Sequence, residues 1–388
     1  INFSSYGASF VCIGKNGKPV ASLYNYLKAF PVHLQKQFYN KYGGEELFSL
    51  QTASPVLGSL NSGLQLYRMK YEKPEIFRNM QYAMHLPQYL SYLITGKCFS
   101  DLTSIGCHTA LWDFQNSQYH NWVIKENIIE KLPEIKPSSF VVNSTYKDEK
   151  YITGIGFHDS SAALIPYLKS FQDPFVLIST GTWCISLNPF NNSPLTYSEL
   201  KNDCLCYLTY EGKPVKSSRL FAGQEHEEQT ARIAEHFGLK NNWYQSVKFN
   251  NEIIHRLHGK EELINYVERN SLKHSVFSKR DLNKYSSPDE AYHQLMIDIV
   301  REQFISTQLV IQGTSVKRIF VDGGFSRNAI YMNLLAAAFP DMEVYAAFVS
   351  QATALGTALA IHSHWNNKHV PNSIIELKYY SLSHDPIV

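Results

Sequence analysis

The chain has little charge imbalance, no long apolar run and no paired cysteines, and each lack removes a class of protein. Lys and Arg number 36 against 34 Asp and Glu, a formal net charge of +2. That balance makes no electrostatic case for a nucleic acid or an anionic membrane as partner. No apolar stretch approaches the ~20 residues needed to span a bilayer, and no signal-peptide pattern is present. Six cysteines, Cys12, Cys98, Cys107, Cys184, Cys204 and Cys206, are scattered without CxxC spacing. Cys204 and Cys206 flank Leu205 and would share one strand face. Reduced thiols in a cytoplasmic protein therefore fit better than a disulfide framework or a zinc site. Short-period repeats and low-complexity tracts are also missing.

What is there suits an enzyme-sized globular chain: 388 residues, 44% hydrophobic and 18% charged. That is too long for one ordinary core, so two domains are expected. Ile1-Asn2-Phe3-Ser4 reads as a strand with no lead-in, as if the chain began inside a fold. Residues 1–30 read as a β-meander, with Phe10-Val11-Cys12-Ile13 as one strand, an Asn16-Gly17 turn, and Ala21 to Tyr26 as the returning strand. Helical spacing follows near 33–42, 58–70, 86–95 and 119–131. The tyrosines Tyr67, Tyr71, Tyr82, Tyr89 and Tyr92 read as helix packing rather than a base-stacking platform. A seam at Phe171-Gln172-Asp173-Pro174 resets the pattern. Val176 to Ser179 and Trp183 to Leu187 form a predicted hairpin, Cys204 to Tyr210 a third strand, and 224–237, 250–269 and 288–312 helices. Strands then helices, twice over, suggest two domains of related plan, 1–172 and 173–388.

Chemistry concentrates at glycine-containing turns after strands. Ile319-Phe320-Val321 runs into Asp322-Gly323-Gly324 and then a helix, a cradle where backbone N–H groups can meet an anion. Thr180-Gly181-Thr182 offers hydroxyls and N–H groups that suit phosphate oxygens, although the same residues suit an ordinary turn. Gly154-Ile155-Gly156 precedes a small-residue helix that Ser160 and Ser161 could cap. Asp159, at that helix start, is placed either to cap the helix or to take a proton from a bound hydroxyl. Reading His158 with Asp159 as a metal pair is the weaker alternative, since adjacent side chains rarely converge on one ion and no other His/Asp cluster has ligand spacing. No metal-ligating residue is assigned. Glu225-His226-Glu227-Glu228 reads as the solvated first turn of a helix.

Four stretches, in this order and at these spacings, resemble the FGGY carbohydrate kinase family of the actin/hexokinase/heat-shock ATPase superfamily. They are Gly156-Phe157-His158-Asp159, Ser179-Thr180-Gly181-Thr182-Trp183, Asp322-Gly323-Gly324-Phe325-Ser326-Arg327-Asn328 and Gln351-Ala352-Thr353-Ala354-Leu355-Gly356. The resemblance covers essentially the whole chain. It implies an α/β fold of two ribonuclease-H-like (actin/hexokinase-type) domains flanking a cleft, and ATP-dependent phosphorylation of a sugar with Mg²⁺. By the same resemblance Asp159 matches the catalytic base and Thr180, Gly181 and Thr182 the second phosphate loop. Gly323, Gly324 and Asn328 match the adenosine site, and Gly223 another nucleotide-contacting glycine.

Within the family, Tyr6-Gly7-Ala8-Ser9-Phe10 and Thr182-Trp183 look most like the rhamnulose-kinase branch, whose version of the first reads Trp-Gly-Val-Asp-Phe. Tyr6, Gly7, Ser9, Tyr24, Asn25, His158 and Asp159 are then the expected sugar contacts. Ser9 replaces the family's Asp, and Tyr24-Asn25-Tyr26-Leu27-Lys28 replaces aromatic-x-Asp-x-Arg. Losing that carboxylate and guanidinium should change which hydroxyls are recognised. Gln351 stands where many relatives have Glu. Residues 1–30 contain no match to the family's opening Asp-x-Gly-Thr/Lys phosphate loop, so the first domain is expected to lack its initial strands. A polypeptide verified to begin at Ile1 is accordingly expected to bind ATP weakly and turn over little. Expected partners are a ketose or deoxyketose such as rhamnulose, fuculose or xylulose, and ATP. A homodimer is left open, and nucleic acid and membrane are not expected. The competing reading is a catalytically impaired sugar- or nucleotide-binding or regulatory relative. A metal-dependent hydrolase centred on His158 and Asp159 would need further ligands.

Overall fold

The protein is described by a computed structural model over residues 1–258, 276–349, 351–371 and 374–381. Its organising element is a seven-stranded mixed sheet. In chain order the first-unit elements that matter here are β1 (Ser4–Ser5), β2 (Phe10–Gly14), α1 (Val32–Lys41), α2 (Ser62–Glu72), β3 (Met80–His85), β4 (Phe157–His158) and α3 (Asp159–Ser170). The sheet is built from β5 (Phe175–Thr180), β6 (Cys184–Asn188), β7 (Cys204–Leu208), β8 (Pro214–Leu220), β9 (Arg318–Gly323), β10 (Glu343–Phe348) and β11 (Glu376–Tyr380). Its spatial order is β7-β8-β6-β5-β9-β10-β11. The β5–β6 pair is the expected hairpin, whereas β9 lies parallel to β5, with Ser179 opposite Asp322 and Thr180 opposite Gly323. That register puts two of the glycine-containing turns side by side at the same sheet edge.

Alternation along β5 explains why both sheet faces are covered. Val176 and Ile178 point to one core with Ile319 and Val321, while Phe175 and Leu177 point to the other with Phe320, Leu164 and Tyr167. The first core is roofed by α6 (Ala222–Phe237), α7 (Asn251–His258), α8 (Pro288–Ile311) and α9 (Ala329–Ala338). The long helix α8 starts cleanly: Ser287 accepts from the Glu290 N–H at 3.2 Å, Pro288 opens the first turn, and Asp289 and Glu290 meet the positive end of the dipole. The predicted helix over 250–269 is seen as α7, and residues 259–269 lie outside the described part of the chain.

Residues 1–172 have their own core, centred on Phe38. Its fully buried ring meets Phe48, Tyr67 and Trp122 edge-on at 5.0, 5.0 and 5.1 Å. Tyr67 is thus core, and Tyr71 packs on it at 4.6 Å. The strands of this unit form two-stranded pairings rather than one sheet. The units touch where α3 crosses α10 (Ala352–Ala360): a Cβ at Gly356 would lie 1.8 Å from the Ala162 carbonyl oxygen, so only glycine permits that approach.

Three expectations are corrected. The strand over residues 21–26 does not form. After the turn, Val20 N–H still bonds the Cys12 carbonyl at 2.9 Å, but Pro19 has no N–H to extend that ladder, and β2 pairs along its length with β3 instead. Neither Ser160 nor Ser161 caps α3. Ser161 Oγ donates to the Leu208 carbonyl at 2.7 Å, and Asp159 Oδ1 accepts from the Ser160 N–H at 2.7 Å. His226 is not part of a solvated face, because its Nε2 meets the Tyr292 hydroxyl at 2.9 Å beneath α6.

Candidate active site

One half of the candidate site is assembled at the ends of β5 and β9. Gly323 has φ of +82°, and a Cβ there would lie 1.9 Å from the Thr180 carbonyl oxygen. Only glycine accepts both conditions. The contact lets that oxygen accept the Gly324 N–H at 3.0 Å, while Thr180 Oγ1 donates to the Asp322 carbonyl and accepts the Phe325 N–H at 3.0 Å. Gly223 seals the third side, since a Cβ there would lie 1.9 Å from the Gly181 carbonyl oxygen. Its N–H and that of Gln224 bond the Thr182 carbonyl at 3.1 and 3.3 Å.

The three turns bound a cavity of about 660 Å³ that Thr180, Gly181, Gly223, Gly324 and Asn328 line. Five residues spread over almost 150 positions therefore line one cavity. Two expectations need revision. Thr180 is buried with its hydroxyl already engaged, so Thr182, which stands exposed, is the hydroxyl left at the turn. Gly323, although exposed, is not among the lining residues; the side where a Cβ would stand faces Thr180. Asn328 caps α9 by accepting from Ile330 and Tyr331 N–H at 3.0 and 3.2 Å, and its amide donates to the Tyr292 hydroxyl at 2.8 Å. His226, Tyr244 and Tyr292 form an aromatic wall, and Lys248 and Arg327 supply the cations. Burial lowers the His226 pKa to about 4, so this imidazole is neutral at physiological pH.

Behind the turns, Asp322 is buried against the opposite core, where Tyr167 donates to Oδ2 at 3.3 Å. Burial raises its pKa to about 6, against the pull of hydrogen bonds from Ser179 and Tyr167. It does not line the cavity.

The other half lies at the β4–α3 junction. Asp159 is the first residue of α3, with its side chain 42% exposed and Oδ1 3.5 Å from His158 Nε2. The turn is held from behind. Buried Asp101 accepts from the Thr103 and Ser104 N–H groups and from Ser138 Oγ, and Thr103 Oγ1 accepts the His158 N–H at 3.0 Å. His158 stacks on Tyr207 at 5.3 Å. Burial lowers the His158 pKa, opposed by Asp159, and lowers that of His108 well below the usual range, reinforced by His158, Arg219 and His85.

The expected sugar contacts are only partly brought together. Gly7 packs directly on His158, where a Cβ would come within 3.0 Å of Cδ2. The Tyr6 ring lies 5.6 Å from Tyr26. Ser9 is fully buried and donates to the Tyr24 carbonyl at 3.0 Å, so its hydroxyl serves the backbone. Tyr24 and Asn25 line a separate cavity of about 410 Å³ with Lys28, Arg68 and Glu72, and that cavity includes neither His158 nor Asp159.

Arg219, His226 and Cys107-His108 were not singled out from the sequence as site residues. Arg219 is 8% exposed, donates to Asp203 Oδ1 at 2.6 Å, and lies 5.1 Å over the Trp183 ring. Burial opposes its charge, and Asp203 and Tyr207 sustain it. Together with Trp183 and Phe221 it lines a third cavity, about 810 Å³, whose far wall is Glu45 and Ser49 of the first unit. The local signal was slight: an Arg in Ser218-Arg219-Leu220-Phe221, on a strand that also buries the polar Lys216, Ser217 and Ser218.

The architecture is therefore that of a two-unit kinase-type α/β protein, with a glycine-walled cavity on one unit and a part-exposed carboxylate at a helix start on the other. Residues 172–369, more than half of the chain, match the family of the carbohydrate kinase FGGY C-terminal domain, and the chain belongs to the FGGY carbohydrate kinase family. It is similar to the rhamnulokinase of Ligilactobacillus salivarius, at 21% identity over 231 residues, covering 54% of this chain and 45% of the relative. The rhamnulokinase of Bacteroides thetaiotaomicron is 23% identical over 200 residues, 48% of this chain and 39% of the relative. The chain thus spans less than half the length of these curated relatives in the matched region.

Among solved structures, a carbohydrate kinase from Novosphingobium aromaticivorans superposes with a TM-score of 0.76 at 19% identity, covering 100% of this chain and 83% of that one. Ligand-bound xylulose kinase from Lactobacillus acidophilus gives 0.75 at 14% identity, covering 98% and 79%. These likenesses establish the fold, an actin/hexokinase-type arrangement of two domains. Among the described residues no helix is long and apolar enough to cross a membrane.

Proposed function

We propose that this protein phosphorylates a sugar hydroxyl with ATP, Asp159 acting as general base, with domains spanning 1–172 and 173–388. The observation that carries the reading is the convergence of Thr180, Gly181, Gly223, Gly324 and Asn328 on one cavity, in a chain whose family is that of carbohydrate kinases. The cavity suits a nucleotide. The glycine N–H groups are engaged by backbone carbonyls, so the turns contribute side-chain-free walls that a ligand can approach closely; α9 starts at the rim, and Lys248 and Arg327 stand beside it as cations. When bound, ATP supplies the phosphoryl group.

The remaining steps belong to this chain. The carboxylate of Asp159, exposed at the start of α3, accepts the proton of the sugar hydroxyl as its oxygen attacks. His158 and Gly7 shape the surface on which that hydroxyl rests, and the Asp101–Thr103 pair fixes the turn that aims it. Arg219, between Trp183 and the first unit, is placed to meet charge that develops on the transferred group. Water is excluded as the two units close on each other about the packed α3–α10 crossing.

Magnesium fits less well as a protein-held ion. No carboxylate lines the nucleotide cavity among the described residues, and Asp322 is turned away into the core. A magnesium ion would instead be carried in on the phosphates of the nucleotide. The same feature favours the second reading, a binding or regulatory relative that holds sugar or nucleotide without turnover. A coupled ADP-release screen across ketoses, deoxyketoses and polyols separates the two. Sugar-dependent ADP release that Asp159→Asn abolishes supports the kinase. ATP binding without ADP release on any sugar supports the binder.

A further inference from the structure

Beneath the acceptor half, His158 meets two further side chains, Cys107 and His108, that the proposed phosphoryl transfer does not use. Cys107, His108 and His158 are 1%, 8% and 2% exposed, and one ligand atom from each lies within 4.8 Å of the others. Their polar atoms are poorly satisfied. Neither ring nitrogen of His108 has a partner, nor has Nδ1 of His158, and Cys107 Sγ reaches only the Ser104 carbonyl at 3.3 Å. Orphaned buried imidazole nitrogens are costly, and a ligand on one nitrogen of His108 would relieve part of that cost. The backbone at Gly7 closes one side: a Cβ there would stand 2.4 Å from Cys107 Sγ and 3.5 Å from His158 Nε2. The ring of Tyr207, stacked on His158, closes another.

We propose that Cys107 Sγ, one ring nitrogen of His108 and His158 Nε2 form a Zn²⁺ site, with the fourth position open toward Asp159, whose Oδ1 lies 3.5 Å from that Nε2. One thiolate and two imidazoles are a donor set that favours zinc over the hard cations that follow nucleotides. Tetrahedral bonding at the usual Zn–S and Zn–N lengths places ligand atoms about 3.5 Å apart, so the cluster needs only a side-chain adjustment of about an ångström. On binding, the Cys107 thiol loses its proton to solvent and its sulfur lone pair forms the bond to zinc; no electron transfer is involved. Asp159 Oδ1 lies 3.5 Å from His158 Nε2, so an occupied site draws the carboxylate lone pair onto the metal and away from a sugar hydroxyl. Zinc is then an inhibitor of the acceptor half. That consequence rests on the role proposed for Asp159, whereas the existence of the site does not.

The two are tested separately. Co²⁺ titrated into the chelator-treated protein should give the intense visible bands of tetrahedral cobalt and a near-ultraviolet thiolate-to-cobalt charge-transfer band, both discharged by Zn²⁺. Cys107→Ser should remove the charge-transfer band and His108→Ala should weaken Co²⁺ and Zn²⁺ binding by more than about 100-fold, while Cys206→Ser should leave the spectrum intact. X-ray absorption at the zinc edge of the unmutated, zinc-loaded protein covers the case of a misfolded variant, and should show one sulfur and two imidazoles. An octahedral cobalt spectrum, a charge-transfer band that survives Cys107→Ser, or an edge spectrum without sulfur overturns the site. A site confirmed by spectroscopy with no effect of Zn²⁺ on ADP release overturns only the inhibition, and with it the placement of Asp159 at the transfer step.

Discussion

Adjacent glycines of one turn, Gly323 and Gly324, should respond oppositely to the same added methyl group. At Gly323 the backbone is left-handed, φ +82°, and an alanine Cβ would sit 1.9 Å from the Thr180 carbonyl oxygen. The left-handed conformation alone costs alanine about 1–2 kcal/mol. Relieving the overlap moves the end of β5 by more than 1 Å, which also loosens the Gly324 N–H bond to that oxygen and the Phe325 N–H bond to Thr180 Oγ1, at about 1 kcal/mol each. Gly323→Ala should therefore destabilise the sheet unit by about 3–5 kcal/mol. At Gly324 the backbone is right-handed helical, φ −64° and ψ −48°, and an added Cβ meets nothing within 4 Å. Gly324→Ala should leave stability within about 0.5 kcal/mol of the parent or raise it slightly. Its methyl group stands on the cavity wall, however, and should cut ATP affinity by about 10-fold, roughly 1.4 kcal/mol. Denaturant titration gives the first quantity and calorimetric ATP titration the second. A Gly324→Ala protein with unchanged ATP affinity, or a Gly323→Ala protein as stable as the parent, would refute the assignment of roles.

Two buried carboxylates should give opposite pH dependences of stability. Glu126, 1% exposed, is gripped by Lys41 and Lys70 at 2.6 Å and Tyr42 at 2.5 Å. Burial raises its pKa, but those partners win and bring it from 4.5 to about 2. Its contribution is fully present above pH 4.5 and is lost as pH falls toward 2, about 2–3 kcal/mol after allowing for the exposure of Lys41. Glu126→Gln should lose that stability at pH 7 and flatten the acid limb of a stability–pH curve. Asp322 behaves inversely: burial raises its pKa from 3.8 to about 6, so the folded state holds the proton more tightly and stability falls as pH rises from about 4 through 6. Asp322→Asn should remove that fall and gain up to about 3 kcal/mol at pH 7. A steeper decline would show that the carboxylate is ionised and paired.

The glycine turns were legible because each sits where a strand must stop abruptly, and their convergence follows once β5 and β9 pair in parallel. The hairpin of β5 and β6 and the helices around Phe38 were legible for a similar reason, since periodicity and tight turns are local. The rest depends on contacts far apart in the chain. Pro19 ended a hairpin whose Asn-Gly turn predicted a full return strand, and Tyr24 and Asn25 line a cavity apart from His158 and Asp159. Cys107 and His158 lie 51 positions apart and meet only because Thr103 holds the β4–α3 turn. His226 looked solvated amid three glutamates until α8 placed Tyr292 beneath it.

The most direct test of the central claim compares the parent and Asp159→Asn, in a form of the protein that shows sugar-dependent ADP release. Single-turnover transfer and ATP affinity are measured on the same samples. The account predicts transfer slowed by about 10²–10⁴-fold or more with ATP affinity nearly unchanged. Transfer that persists at close to the parent rate would contradict it.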